Sequence, residues 1–208
     1  MSSASQTTNA DVVDSVSPVM SEEMYTPEAL LSLADEVAYE LVGGKLVERN
    51  MGGESSEIAV VINSLLWTHC QTHGLGRIFG PDASYQIYRE HPKKVRRADG
   101  SFIAKGRLPN NLSPKGHIKV CPDLVVEVIS PNDLAAEVDV KVEEYLQAGV
   151  RLIWVVFPES KHVYAYRAGD TTVQRLGSED ELSGENVLPE LRLAVSKIFP
   201  AAGDETVD

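Results

Sequence analysis

The sequence predicts a mixed α/β fold of the α+β kind, in which helices flank a central mixed β-sheet that follows a β-hairpin. Three observations support this prediction. The element signals run in the order helix, several strands, helix, strands, which is typical of helices packed on a mixed sheet. The stretch "YELVGGKLVER" alternates apolar and polar residues around two glycines, as hairpins do. Two stretches with apolar residues at three- and four-residue steps indicate amphipathic helices.

The length of 208 residues suits one domain with tails, since domains usually have ~100–200 residues. Residues 1–24 contain no Lys or Arg and little periodicity, so we expect a disordered leader there. Residues 25–200 are predicted to form a single domain, and residues 201–208 a flexible tail. The predicted domain begins with a short helix that Thr26 caps and Pro27 opens.

The first long helix is predicted over Glu54–Thr72 and ends at "HGLG". Its apolar face is formed by Ile58, Val61, Ile62, Leu65 and His69. Strand-like runs, separated by Pro, Gly and charged connectors, are "GRIFG", "SYQIYRE", "VRRADGSFI", "KVCPDLVVEVIS", "RLIWVVF" and "KHVYAYRAG". A second helix is predicted from Pro131 and Asn132 to about Ala148, with Gly149 as its C-cap.

Composition excludes several classes of protein. No apolar run approaches the ~20 residues of a membrane span, so no membrane partner is expected. The first residues do not resemble a secretory signal, and a cytoplasmic location is expected by default. Cys70 and Cys121 lie in no CxxC or Cys/His cluster, which argues against a disulfide framework and a zinc site.

Charge is unevenly distributed along the chain. The net charge of −12 argues at first against a nucleic-acid partner, because polyanions attract basic surfaces. However, residues 89–119 contain nine basic and two acidic residues, a net of +7, which leaves −19 on the remainder. This segment is either a solvated loop region or a face that contacts phosphates. The candidate phosphate-contacting residues are Lys93, Lys94, Arg96, Arg97, Lys105 and Arg107.

The run "PDLVVEVIS" carries two carboxylates in a strand that is otherwise apolar. Alternate residues of a strand share a face, so Asp123 and Glu127 point the same way. Buried carboxylates need a cation, a lysine or water, because an unpaired buried charge is costly. The alternative is an edge strand on which both groups are solvated.

The helix after this strand offers a partner. Its apolar stripe is Leu134, Val138, Val142 and Tyr145. Lys141 lies along this stripe and therefore faces the sheet, where it either approaches the carboxylates or packs its stem while the ammonium reaches water.

Two more acidic positions extend the candidate site. Asp99 begins a strand beside the basic run, and Glu54 falls on the inner stripe of the first long helix if that helix starts early enough. Glu57 competes with Glu54 for this place. Glu54 is equally explained as a first-turn acid that the helix dipole favours.

A series of segments resembles a known family. The segments, in order, are "TPEALLSL", "YELVGGKLVE", "HGLGRIFGPD", "ADGSFIAKGRLP", "PDLVVEVISP", "DVKVEEYLQAGV" and "IWVVFPE". Together they resemble the restriction endonuclease family of the Uma-two type, within the PD-(D/E)XK nuclease superfamily, over roughly residues 25–167. The resemblance implies a restriction-endonuclease-like core and a metal-dependent endonuclease that hydrolyses DNA phosphodiester bonds.

The resemblance also implies roles for individual residues. By position, Asp99 matches the first PD motif, Glu127 the acid of the (D/E)XK strand, and Asp123 a second PD motif. Ile129 stands where the usual lysine would be, and Lys141 on the following helix matches the lysine of this family. The implied catalytic residues are Asp99, Glu127, Lys141 and Glu54. The implied ligands of Mg²⁺ or Mn²⁺ are Asp99, Glu127 and Asp123, with help from the Val128 carbonyl.

The chain departs from the family pattern at several positions. Ala98 replaces a proline, Phe157 replaces an aspartate, and Ser55 or Ser56 stands where a histidine is common. These departures and the acidic balance favour one alternative, a weakened nuclease fold that acts as a binding or regulatory module. A further alternative is a metal hydrolase for a small phosphate ester, which would need a closed pocket rather than an open basic groove. A homodimer is expected by analogy, because cutting two strands needs two sites.

Overall fold

The computed structural model describes residues 24–33, 38–49, 52–131 and 133–200. The predicted leader, except Met24, and the predicted tail lie outside the described residues. The structure confirms the fold class: a six-stranded mixed sheet has helices on both faces, and a hairpin precedes it. Within the described residues, no helix is both long enough and apolar enough to cross a membrane.

The helices are α1 (Pro27–Leu31), α2 (Gly53–His73) and α3 (Ala135–Ala148). The strands are β1 (Tyr39–Val42), β2 (Lys45–Glu48), β3 (Gly76–Phe79), β4 (Ser84–Tyr85), β5 (Arg96–Arg97), β6 (Gly100–Ala104), β7 (Leu124–Val128), β8 (Leu152–Phe157), β9 (His162–Arg167), β10 (Gln174–Leu176), β11 (Glu181–Ser183) and β12 (Arg192–Ala194). The central sheet has the order β10-β9-β8-β7-β6-β3, and only the β7–β8 pair is parallel.

The N-terminal elements follow the sequence signals closely. Thr26 caps α1 by accepting a hydrogen bond from the Ala29 amide at 3.2 Å. Gly43 and Gly44 connect β1 and β2 with φ angles of 59° and 82°, a region that glycine adopts at little cost. The predicted capped helix and hairpin are therefore confirmed.

Helix α2 covers one face of the sheet. Ile58, Ile62 and Leu66 are fully buried against Val126 and Trp154, among other apolar side chains of β6, β7 and β8. Gly74 ends the helix in the left-handed conformation, with φ at 60°. The buried stripe passes through Leu66 and Cys70, whereas Val61, Leu65 and His69 of the predicted face are only half-buried.

Helix α3 covers the opposite face. Val142 and Tyr145 pack against Val125, Ile153 and Val155, the residues of β7 and β8 that point away from α2. The helix begins at Ala135, so the prediction that it starts at Pro131 was wrong, and the predicted Asn132 lies outside the described residues. Leu134 is the N-cap residue and 63% exposed, because it precedes the first helical turn that packs on the sheet.

Two predicted strands are shorter in the structure. The run "SYQIYRE" pairs only at Ser84 and Tyr85, which form a two-residue ladder with Arg97 and Arg96. The run "VRRADGSFI" is divided between β5 and β6, because Ala98 and Asp99 lie outside both ladders. This interruption places Asp99 at the start of β6, beside the end of β7.

Candidate active site

The register of β6 against β7 brings two predicted acidic residues together. Gly100 pairs with Val126 in this antiparallel ladder, so the next position outward places Asp99 opposite Glu127. Directly opposed residues point to the same face of a sheet and lie ~5 Å apart at their Cα atoms. Both carboxylates therefore lie on the α3 side, at the end of β7.

The two carboxylates line one cavity of about 410 Å³. Its walls are the hairpin, the end of β7 with the residues that follow it, and the first half of α3. The charged residues of its lining are Glu40, Glu48, Arg49, Arg96, Asp99, Glu127, Asp133, Glu137 and Lys141. Asp99 and Glu127 are 2% and 5% exposed, so their charges are largely removed from water.

Asp99 is held by three contacts. Its Oδ2 accepts a hydrogen bond from the Val128 amide at 2.6 Å, and its Oδ1 forms an ion pair with the guanidinium of Arg49. The side-chain amide of Asn63 on α2 donates to the Asp99 carbonyl at 2.9 Å. Gly100 permits this approach, because a Cβ there would lie 2.5 Å from Asn63 Oδ1. The orientation of Asp99 is thus determined by β7, α2 and the hairpin together.

Glu127 contacts α3 through both of its oxygens. Tyr145 donates a hydrogen bond to Oε1 at 2.9 Å, and Lys141 Nζ lies 3.4 Å from Oε2. Burial raises the pKa of Glu127 from 4.5 to about 7; the charge on Asp99 adds to this increase, while Lys141 and Arg49 oppose it. The carboxyl therefore exchanges its proton near neutral pH.

Burial and neighbouring charges also shift the pKa values of Asp99 and Lys141. Burial raises the pKa of Asp99 above its ordinary value, although Arg49 and the Val128 amide oppose the shift. Burial lowers the pKa of Lys141, but Glu127 and Glu40 outweigh it and the net shift is upward. Lys141 consequently stays protonated beside two carboxylates.

Glu40 of β1 is the centre of a second set of contacts. Its Oε2 accepts a hydrogen bond from Arg96 at 2.9 Å, and its Oε1 accepts one from the Arg97 amide at 2.8 Å. Lys141 Nζ lies 3.6 Å from Oε1. Glu144 of α3 binds Arg96 on its other side. This network fixes the ammonium of Lys141 between the hairpin and the sheet.

Asp123 lies away from this cavity. It precedes β7, whereas Glu127 is four residues further along, ~13 Å at ~3.3 Å per strand residue. Its carboxylate binds Arg107 at 2.6 Å, Arg151 at 2.8 Å and the Ala104 amide at 2.9 Å. The structure brings Asp99 and Glu127 together but places Asp123 at the opposite end of the strand.

The helix acids are also outside the cavity lining. Glu54 and Glu57 are exposed on the first turns of α2. The residue of this turn that contacts the end of β7 is Ser55, which is buried and donates a hydrogen bond to the Ile129 carbonyl at 3.1 Å. The catalytic role of Glu54 stays a prediction.

The basic candidates divide into two groups. Lys94 and Arg96 are buried and bind Glu144 and Glu40, so their charges are neutralised inside the protein. Arg97 is half-buried and donates to two backbone carbonyls. Lys93, Lys105 and Arg107 are exposed, and Arg107 binds Asp123 as well.

The site fits a hard divalent cation that keeps much of its water. Among the described residues, no three His, Cys, Asp or Glu side chains are grouped so as to hold a metal ion. Two carboxylates suffice for Mg²⁺, which usually takes one or two from the protein and retains several waters. Asp99 and Glu127 would supply these oxygens beside a cavity of about 410 Å³. The contact that opposes this fit is the arginine on Asp99.

Sequence reasoning missed two residues of the site, Glu40 and Arg49. Glu40 has the same signal as Glu127, because it is a carboxylate between apolar residues of a strand. Arg49 has no such signal: it follows the hairpin, and only the packing of the hairpin beside β6 directs its side chain to Asp99.

Comparisons with known proteins identify the family and the fold of the chain. A family model described as "Uma2: Putative restriction endonuclease" matches residues 26–196. A search of curated proteins found no match. Among solved structures, the chain is similar to "a putative nuclease belonging to DUF820" from Anabaena variabilis, with 21% identity and a TM-score of 0.70. The similarity covers 84% of this chain and 97% of the other, and at this identity it shows a common fold.

Proposed function

The chain belongs to the Uma2 family of restriction-endonuclease-like nucleases, and on this premise we propose that it hydrolyses DNA phosphodiester bonds with the help of Mg²⁺ or Mn²⁺. The observation that carries the proposal is that Asp99, just before β6, lies opposite Glu127 of β7. Two buried carboxylates face one cavity there, and a lysine lies 3.4 Å from Glu127. This combination suits a cation and a phosphate better than it suits structural support alone.

Asp99, Glu127 and Lys141 would have different roles in the hydrolysis. Asp99 and Glu127 would hold the cation through their oxygens, and Tyr145 and the Val128 amide orient these carboxylates. When bound, the cation would polarise the scissile phosphate and acidify water. Lys141 would orient the attacking water and stabilise the negative charge that develops on the phosphate. The water oxygen bonds to phosphorus, one P–O ester bond breaks, and the leaving oxygen takes up a proton.

DNA is the proposed substrate because exposed basic residues occur in a chain that is otherwise acidic. Lys93 and Lys105 would contact flanking phosphates, which position a duplex without reading its sequence. Arg107 is exposed but is already paired with the buried Asp123, so it does not enter this proposal. Arg97 adds a half-buried charge that contacts the hairpin at the Tyr39 carbonyl. Lys94 and Arg96 do not enter this proposal, since both are paired with buried glutamates.

The test combines plasmid nicking with calorimetric titration of Mg²⁺ on the same samples. Wild type should bind Mg²⁺ and nick plasmid DNA, whereas Asp99→Asn and Glu127→Gln should lose both properties. Glu159→Gln is the matched control, because Glu159 is exposed in the turn between β8 and β9. Unchanged nicking in Glu127→Gln would refute the assignment of the site. Glu54→Gln, measured alongside, decides the predicted role of the helix acid.

A second candidate function, that of a binding or regulatory module, is favoured by the contact between Arg49 and Asp99. Arg49 neutralises Asp99 within the protein, as would be expected if the cavity no longer binds a cation. The protein would then be a nuclease fold that acts as a binding or regulatory module. Absence of both metal binding and nicking in wild type would support this alternative.

A further inference from the structure

Arg49 occupies an unusual place between the hairpin and the proposed cation site. Its backbone amide donates to the Ala38 carbonyl at 2.9 Å, which fixes the residue at the end of β2. Its side chain is 12% exposed and spans two partners. Nη2 binds Asp99 Oδ1, and Nη1 donates to the Pro81 carbonyl at 3.1 Å. The guanidinium therefore has one charged partner and one neutral partner.

The charged partner is also the proposed ligand of the cation. Asp99 Oδ2 accepts the Val128 amide and Oδ1 binds Arg49, so a cation that coordinates Oδ1 meets Arg49 on the same oxygen. A cation at this oxygen would lie a few ångströms from a guanidinium that is shielded from water. Like charges at such a distance repel strongly where the effective dielectric constant is low. Arg49 and the cation therefore exclude one another at Asp99.

We propose that Arg49 competes with the metal ion for Asp99 and, once displaced, binds the phosphate of the DNA substrate. This inference rests on the proposed function. In the metal-free protein, Arg49 neutralises Asp99 and so weakens the binding of a cation there. When Asp99 takes a cation, the arginine turns Nη2 toward the cavity that Asp99 and Lys141 line.

The geometry of the arginine suits this exchange. The Pro81 carbonyl is a neutral acceptor, so its hydrogen bond to Nη1 can persist while Nη2 changes partner. A guanidinium presents parallel N–H groups that match two phosphate oxygens, and it remains charged at any pH a protein tolerates. A phosphate that enters the cavity would then replace the negative charge that Arg49 loses. Substrate and metal ion should consequently promote each other's binding.

The test measures Mg²⁺ affinity without DNA in wild type, Arg49→Gln and Arg49→Lys by calorimetry, and repeats the titration with Mn²⁺ by electron paramagnetic resonance. Arg49→Gln should bind the cation at least about tenfold more tightly than wild type, because the competing charge is gone. At saturating Mg²⁺ the same variant should nick DNA at least about tenfold more slowly, because it lacks the phosphate contact. Arg49→Lys keeps the charge and should retain an affinity close to that of wild type.

Arg151→Gln is the matched control, because it also removes an arginine from a buried aspartate, but outside the cavity. Its Mg²⁺ affinity should equal that of wild type. Equal or weaker Mg²⁺ binding by Arg49→Gln overturns the competition, and urea unfolding of the same samples shows whether that variant is folded.

The result also separates this inference from the proposed function. Suppose that nicking depends on Glu127, but that Arg49→Gln nicks DNA and binds Mg²⁺ as wild type does. That result overturns the role of Arg49 and leaves the proposed function intact. Metal binding by Arg49→Gln but not by wild type in the absence of DNA supports the competition. Absence of nicking by wild type at saturating Mg²⁺ in the same experiment refutes metal catalysis by the native chain. Absence of metal binding in all of the variants overturns both.

Discussion

The hydroxyl of Tyr145 donates a hydrogen bond to Glu127 Oε1 at 2.9 Å, and both side chains are buried beneath the proposed cation site. Burial raises the pKa of the Tyr145 hydroxyl well above its ordinary value, and the charge on Glu127 raises it further. Tyr145 is thus a permanent donor, and it couples α3 to the C-terminal end of β7.

Removing this donor should destabilise the protein. Tyr145→Phe leaves an oxygen of Glu127 without its buried hydrogen bond, so we expect a loss of about 1–3 kcal/mol in the free energy of unfolding. Urea unfolding at pH 7.5 measures it. Tyr88→Phe is the matched control: the neighbouring Tyr88 hydroxyl is buried without a hydrogen-bond partner among the described residues, so its removal should be neutral or stabilising. Equal losses in both variants would contradict the importance of the bond.

The stability of the protein should depend on the protonation of Glu127. The native carboxyl has a pKa of about 7 and the unfolded one has its ordinary value of 4.5. Between these values the native state binds more protons, so the free energy of unfolding falls as pH rises from 4.5 to 7 and then levels off. The fall due to Glu127 is at most about 3 kcal/mol. Urea unfolding at pH 5, 6, 7 and 8 should show a flatter profile for Glu127→Gln than for wild type.

Gly100 should be required for the position of Asp99. A Cβ at Gly100 would lie 2.5 Å from Asn63 Oδ1, so Gly100→Ala forces Asn63 away from the Asp99 carbonyl. We expect a loss of about 1–3 kcal/mol in the free energy of unfolding, as for other overpacked sites. Gly80→Ala, where a Cβ meets nothing within 4 Å, should be nearly neutral. Thermal unfolding of Gly100→Ala with and without Asn63→Ala should reveal non-additive effects; additive effects would rule out the clash.

Asp123 should contribute to stability and leave metal binding unchanged. Asp123→Asn weakens the contacts with Arg107 and Arg151 at the far end of β7, so we expect a loss of about 1–3 kcal/mol in the free energy of unfolding. Its Mg²⁺ affinity, measured by calorimetry, should stay within about threefold of wild type, since Asp123 lies ~13 Å along the strand from Glu127. A large loss of affinity would restore Asp123 as a metal ligand.

Local patterns were sufficient to predict much of the site. Alternation along "PDLVVEVIS" placed Glu127 on one face of a strand, and helical spacing placed Lys141 on the stripe of α3 that faces it. Both inferences depend on periodicities that the backbone of a strand or helix imposes on its own neighbours. The same local pattern also put Asp123 on the face of Glu127. It could not show that Glu127 lines the cavity whereas Asp123, four residues earlier, binds Arg107 and Arg151 outside it.

Counting charges along the chain was less informative. Lys94 and Arg96 belong to the basic segment, yet Glu144 lies 50 and 48 residues away in sequence and neutralises both. Net charge over a window records what a segment carries, whereas exposure and pairing depend on which distant elements pack against it. The basic segment therefore supplies fewer free charges than its sequence indicates.

The sequence alone determined the class of the fold, the hairpin and the two long helices, because these depend on local spacing and capping. The residue types of the proposed cation site were implied by the family resemblance. Only the tertiary structure decided which acids meet. The antiparallel register sets Asp99 opposite Glu127, and the packed hairpin brings in Glu40 and Arg49. Such contacts join residues about 30 to 100 positions apart, and their formation depends on the free energy of burying whole elements together.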